Sequence, residues 1–326
     1  MVVTRSSLHQ LHLDSLRHDC AILSAVAENL LHNAAIARQI HDLNGRLPGP
    51  TLDQPKSSAL TPEQALKLVV TARSSLDLLS SAGHFSQLGE RLAGGLHATL
   101  DTLESQLGHR SRDAARQKAF GLYVIIDPQA TAGRDPLHVT RDALDGGARM
   151  VQLRDKARDK GQSLPLARAM KQLCDEKDAL FIVNDHADIT ALCDAHGVHL
   201  GLTDLPVAEA RKALHPHQLI GRSNHHLEEA LEASQAGADY IAVGAMFPTS
   251  SKDQPIVGGP MLLKKVKGSV DVPVVAIGGI TAERVAEVVR AGADALCVIS
   301  AVGLAPSPRD AAARLVESIR AAGGRV

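Results

Sequence analysis

Aromatic side chains are scarce, 2% of 326 residues, so the sequence offers no stacking platform for nucleobases. A charge excess is missing as well. The chain sets 35 Lys and Arg against 36 Asp and Glu, a net charge of -1, and leaves no electrostatic footprint for nucleic acid. No apolar run approaches the ~18 residues that a membrane-spanning helix requires. The opening MVVTRSSLHQLHLDSLRHD also lacks the apolar stretch of a signal peptide, so the expected location is the cytoplasm. Four cysteines, Cys20, Cys174, Cys193 and Cys297, stand far apart and form no Cys-x-x-Cys pair. That argues against a zinc site and a secreted disulfide framework, and they read as buried free thiols. Most of the 16 histidines are scattered without the fixed spacing of metal ligands, and most read as surface residues.

What the chain does have is apolar material for a core, 44% of residues, arranged in two textures. From Ser6 to about Leu43, the residues Leu16, Cys20, Leu23, Leu30 and Leu31 recur at helical spacing, which predicts an amphipathic helix or helix pair. The stretch Asn44 to Pro62 concentrates Pro, Gly and Ser and reads as a linker or long loop. A second helical block then starts with Thr61 as cap, Pro62 at the first helical position and Gln64 at capping-box spacing. It continues to about Leu107 with a break near Gly83. The first 117 residues are therefore expected to form an all-α domain, with the loop at about 44–62 inside it. The helical block reads as a packing or dimerisation module, which would make a homo-oligomer, with a partner-binding or pathway-coupling role as the alternative.

From Gly121 onward the texture is short β-branched runs separated by helical segments. Eight such runs begin at Leu122, Met150, Leu180, Gly197, Leu219, Tyr240, Pro273 and Ala295. Three of the helices between them end in GGARM, AGADY and AGADA, where Gly can terminate the helix before the next strand. An open doubly wound sheet would usually show a glycine-rich fingerprint after its first strand, and DPQATAGRD is not one. The predicted fold for residues 118–326 is an α/β (β/α)8 TIM barrel.

In such a barrel the chemistry stands at the C-terminal ends of the strands. The second run ends in Gln152, Leu153, Arg154, Asp155 and Lys156, and period-two alternation would send Gln152, Arg154 and Lys156 to one face. A planar fork and a point charge together suit diphosphate oxygens, although surface ion pairs at a solvated strand end would use the same residues. Asn184 and Asp185 close the third run, and Asp204 follows the fourth. Two carboxylates with cations nearby suit Mg²⁺, which completes its octahedron with water and phosphate oxygens; helix capping would use the same pair equally well. Ser223 ends the fifth run, and Thr249, Ser250, Ser251 and Lys252 give the loop after the sixth a phosphate-gripping composition. Gly279 and Ser300 fall in the last two loops, where barrels commonly bind phosphate. The count suggests two phosphorylated substrates, both small molecules, one handled with Mg²⁺.

Taken in order, QLRDK, IVND, GVHLG followed by Asp204, GRSNH, VGAMFPTSSK, AIGGIT and VISA resemble the motif set of thiamine phosphate synthases over about residues 121–326. The resemblance implies a transferase of thiamine biosynthesis that joins a pyrimidine diphosphate to a thiazole phosphate. By that likeness Gln152, Arg154, Lys156, Asn184, Ser223 and Lys252 would hold the pyrimidine diphosphate, with Leu153 and Asp155 in the same stretch. Asp185 and Asp204 would ligate Mg²⁺, and Thr249, Ser251, Gly279, Ile299 and Ser300, with Ser250 beside them, would hold the thiazole phosphate. Arg154, Lys156, Lys252 and Ser223 would carry the catalysis. Two positions depart from the pattern: Leu202 stands where the family commonly has Gln, and Ser251 where it has Thr. The rival readings are a related thiazole tautomerase, which would not need the diphosphate and metal set, and a non-catalytic sensor of thiazole phosphate.

Overall fold

The structure, a computed structural model, describes residues 5–48, 60–81, 90–248 and 257–326, without the side chains of residues 5–7. It divides into two compact units, residues 1–111 and 112–326.

The first unit is helical: α1 (Arg5–Asn29), α2 (Ala34–Gly45), α3 (Pro62–Ser81) and α4 (Glu90–Arg116), the last running past the boundary between the units. The predicted helix from Ser6 is a pair. His32 takes a left-handed φ of 52° and Asn33 caps α2, its side chain accepting from the Ile36 amide at 3.1 Å. The helix also runs two residues into the expected loop, to Gly45, while residues 49–59 and the break near Gly83 lie outside the described residues. The capping box at α3 forms as its spacing predicts. The Thr61 amide donates to Gln64 Oε1 at 2.9 Å, and the Gln64 amide to Thr61 Oγ1 at 3.2 Å. Leu16, Cys20, Leu23, Ile40, Val69, Leu76, Leu96 and Leu103 form this unit's own core.

The second unit is a closed barrel of eight parallel strands, β1 (Gly121–Ile126), β2 (Met150–Leu153), β3 (Leu180–Asn184), β4 (Gly197–Leu200), β5 (Leu219–Asn224), β6 (Tyr240–Val243), β7 (Val274–Ile277) and β8 (Ala295–Val298), with β8 pairing back to β1. The helices of this unit are α5 (Pro136–Asp145), α6 (Lys160–Glu176), α7 (Ala187–Leu192), α8 (Val207–Ala213), α9 (Leu227–Gln235), α10 (Gly259–Lys267), α11 (Val285–Arg290), α12 (Ser300–Gly303) and α13 (Pro308–Ala321). Each predicted run contains one strand, to within a residue or two of its start. Gly147, Gly237 and Gly292, the glycines of the three similar helix ends, take φ of 96°, 91° and 99°, a conformation that favours Gly.

Alternation along the strands sorts their residues into two layers. Val124, Val151, Leu153, Phe181, Val183, Ile220 and Leu296 pack outward in a buried apolar layer with helix residues such as Val139, Met170 and Leu315. Tyr123, Ile125, Met150, Ile182, Leu219, Tyr240 and Cys297 form a separate cluster filling the lumen. The polar residues at the strand ends are consequently carried on a packed plug rather than around a pore.

Candidate active site

The lumen plug is not purely apolar. Gln152, 1% exposed, donates through Nε2 to the Tyr123 hydroxyl at 2.6 Å, and the Tyr123 and Tyr240 hydroxyls lie 3.3 Å apart. The Tyr240 hydroxyl meets His199 Nδ1 at 3.1 Å, and His199 Nε2 meets Ser223 Oγ at 2.8 Å. Burial pushes both phenols far above their ordinary pKa, so both keep their protons. Gly221 makes this possible: a Cβ there would overlap the Tyr240 ring. A continuous polar path thus connects β2 to β5 beneath the barrel mouth.

Above Gln152, charge gathers at the ends of β1 to β4. The strand β2 stops at Leu153, so strand alternation directs Gln152 alone; Arg154 and Lys156 stand in the loop and are aimed by partners instead. Asp127, buried at the end of β1, accepts from Arg154 Nη1 through Oδ2 and from the Gln129 amide at 2.9 Å through Oδ1. Lys156 Nζ lies 3.5 Å from Asp185 Oδ2. Asp185 itself takes a left-handed φ of 63°, its amide donating to the His199 carbonyl at 2.8 Å. Its carboxyl is raised above the usual range, first by burial and then by the hydrogen bond to, and charge of, Asp204, with Lys156 opposing. The Gly201 amide donates to Asp204 Oδ2 at 2.6 Å, and Arg222 steadies the same loop by donating to the Leu205 and Leu202 carbonyls at 3.1 and 3.3 Å.

Two crowded carboxylates with an all-oxygen donor set fit a hard divalent cation, which would relieve the repulsion that keeps one of them reluctant to ionise. Among the described residues no group of three or more His, Cys, Asp or Glu offers a competing metal site.

Across the ring, the turn after β7 is shaped for a close approach. Gly278 and Gly279 take φ of 102° and 64°, and a Cβ on Gly279 would come within 2.7 Å of the Pro248 carbonyl. The Met246 and Phe247 amides donate to the Ile277 and Gly278 carbonyls at 2.9 and 3.0 Å, joining the β6 loop to this turn. Arg284 spans both, donating to the Gly279 carbonyl at 2.9 Å while its guanidinium lies 4.6 Å above the Phe247 ring. Ile299 and Ser300 follow β8, with Ser300 exposed. Arg134, donating to the Gly303 and Pro306 carbonyls at 2.8 and 3.1 Å, ties the β1 loop to the β8 loop.

Of the residues singled out by sequence, Gln152, Arg154, Lys156, Asn184, Asp185, Asp204 and Ser223 come to neighbouring strand ends from β2 to β5, and Gly279, Ile299 and Ser300 to β7 and β8. Leu153 packs outward, 3% exposed. Asp155 is occupied by its own loop, accepting from Ser163 Oγ at 2.7 Å and Arg158 Nε at 2.9 Å. Thr249, Ser250, Ser251 and Lys252 lie outside the described residues. Sequence reasoning passed over Asp127, Tyr123, His199, Tyr240 and Arg284. Alternation from Gln152 and Ser223 would have put Tyr123, His199 and Tyr240 on the lumen face, but only once the barrel register was known.

A closed parallel barrel with paired carboxylates and cations at one group of strand ends and a glycine turn at another is the architecture of an enzyme acting on phosphorylated small molecules. A profile of the family described as thiamine monophosphate synthase matches residues 122–302, and the chain belongs to that family. It is 45% identical over 208 residues to a thiamine-phosphate synthase of Shouchella clausii, a match that covers 63% of this chain and 99% of that protein. A thiamine-phosphate synthase of Synechococcus sp. is 35% identical over 318 residues, covering 97% of this chain and 85% of the relative, so its similarity extends through the helical unit. Among solved structures, a thiamine phosphate pyrophosphorylase from Pyrococcus furiosus superposes with a TM-score of 0.60 at 39% identity, covering 64% of this chain and all of that one.

Proposed function

We propose that the chain is a thiamine phosphate synthase that condenses 4-amino-2-methyl-5-(diphosphooxymethyl)pyrimidine with 4-methyl-5-(2-phosphooxyethyl)thiazole, giving thiamine phosphate and diphosphate. The observation that carries this reading is the Asp185 and Asp204 pair set beside Lys156 and Arg154. A thiazole tautomerase or a thiazole phosphate sensor has no use for that set.

In this reading Asp185 and Asp204 hold Mg²⁺, which when bound supplies positive charge to the diphosphate oxygens. Arg154 and Lys156 bind the same diphosphate, with Lys252 as a third cation for it. Gln152, Asn184 and Ser223 orient the pyrimidine, and Gly279, Ile299 and Ser300, with Thr249, Ser250 and Ser251, receive the thiazole phosphate. Bond cleavage is dissociative: the C–O bond to diphosphate breaks with its electron pair leaving on oxygen, and the thiazole nitrogen then donates its pair to the exposed methylene carbon. The protein's part is to fix both partners and to neutralise the charge that grows on the leaving group. The helical unit is proposed as a packing or self-association module, a role its separate core would serve.

Mixing both substrates with Mg²⁺ should release diphosphate, and omission of either substrate or addition of a chelator should stop the release. Asp185→Ala or Lys252→Ala should lower turnover at least ~100-fold, the usual cost of a lost charge-stabilising group. A loss below about threefold at saturating Mg²⁺ would remove that residue from its assigned role.

A further inference from the structure

The hydrogen bonds of the lumen have a direction. Gln152 uses an N–H on the Tyr123 oxygen, so that oxygen is an acceptor and its own proton faces the Tyr240 hydroxyl. Tyr240 then accepts from Tyr123 and turns its proton toward His199 Nδ1. A neutral imidazole that accepts at Nδ1 carries its hydrogen on Nε2, which donates to Ser223 Oγ. Ser223 receives a bond from below and keeps its own O–H for the mouth. At the other end, Gln152 Oε1 is buried without a hydrogen-bond partner among the described residues. An orphaned acceptor there wants an N–H from a ligand.

We propose that Tyr123, Tyr240 and His199 are positioning residues that hold a one-way chain from Gln152 to Ser223, so that Ser223 faces the substrate as a donor and Gln152 as an acceptor. The chemistry recognised is a heteroaromatic ring that offers a lone-pair nitrogen to Ser223 and an amine hydrogen to Gln152. The inference deepens the functional reading above and rests on its assignment of these two residues to the aminopyrimidine. The chain is preorganised at low cost because its protons have nowhere else to go. Both phenols are fully desolvated, and the His199 ring stacks on Tyr240 with centroids 5.7 Å apart.

The test begins on the unmutated full-length protein, by nitrogen NMR with labelled histidine. The His199 signal is the one displaced by Ser223→Ala. The hydrogen is expected on Nε2. Were the Gln152 amide turned round, every bond would reverse and the hydrogen would sit on Nδ1, and that result overturns the proposal. Steady-state kinetics supply the second arm. Tyr240→Phe keeps the ring and removes the link, so it should raise KM for the pyrimidine diphosphate roughly tenfold and leave KM for the thiazole phosphate unchanged. Equal effects on both substrates, or none, count against it. If Ser223→Ala itself leaves the pyrimidine KM unaltered, the assignment of Ser223 to that substrate fails. If Ser223→Ala raises it and Tyr240→Phe does not, only the positioning chain fails.

Discussion

At the scale of single residues, the cations expected to grip diphosphate are themselves gripped. Arg154 could have been an extended surface fork, but buried Asp127 fixes one edge of it, leaving the rest of the guanidinium for ligand. Asp127→Asn keeps the bond from the Gln129 amide and deletes the charge-assisted one. Its KM for the pyrimidine diphosphate should rise about tenfold, the worth of one such bond, with the thiazole phosphate unaffected in parallel assays. A second residue governs acid stability. His196 Nδ1 accepts from the Phe181 amide at 2.9 Å, and its pKa falls from 6.5 to about 4, chiefly through burial and then through the charge of Lys171. The folded ring resists a proton that the unfolded chain accepts, so this contribution to stability is complete above pH 6.5 and is lost as pH falls toward 4. The slope is roughly 1.4 kcal/mol per pH unit between those limits. Urea midpoints measured at about pH 7 and about pH 5 should therefore drop further for the native chain than for His196→Asn, whose side chain has nothing to titrate.

At the scale of elements, the strands were legible because a parallel barrel strand is a short apolar run buried on both faces, and eight of them recur with glycine-ended helices between. Cap chemistry was legible for the same reason: Thr61, Pro62 and Gln64 act on each other over three residues. What could not be read was anything decided between distant strands. Tyr123 and Tyr240 look like ordinary core residues until the register sets β1 and β6 around one lumen, and Asp127 looks like a helix cap until Arg154 arrives from β2. The aim of Arg154 and Lys156 was mistaken for alternation because the end of β2 is set by its neighbours, not by its own composition. Gly221 belongs to this scale as well, since β5 must leave room there for a ring carried by β6. Gly221→Ala should cost about 1–3 kcal/mol by overpacking, seen as a lower thermal midpoint, and should impair pyrimidine binding beyond what the lost stability explains.

At the scale of the whole molecule, each unit has its own core, and the Shouchella clausii relative matches 208 residues, 63% of this chain, with 99% of its own length. Barrel chemistry that needs nothing from the helices predicts that a chain of residues 112–326 keeps kcat within about threefold of the full length, under ~1 kcal/mol of barrier. Sedimentation of the two chains side by side would then report what the helices add to assembly. A larger fall in turnover, with the shorter chain folded by circular dichroism, would assign the helical unit a part in the site.

One detail at the floor of the barrel reaches into practice. Arg325 lies over the Phe120 ring at 3.7 Å, and Val326 sits beside the first residue of β1, at the end of the strands opposite the reactive loops. A tether joined after Val326 therefore leaves from the underside. Attachment by that route keeps the barrel's reactive loops at the end away from the tether, and a surface-bound preparation should take up both substrates as readily as the free one.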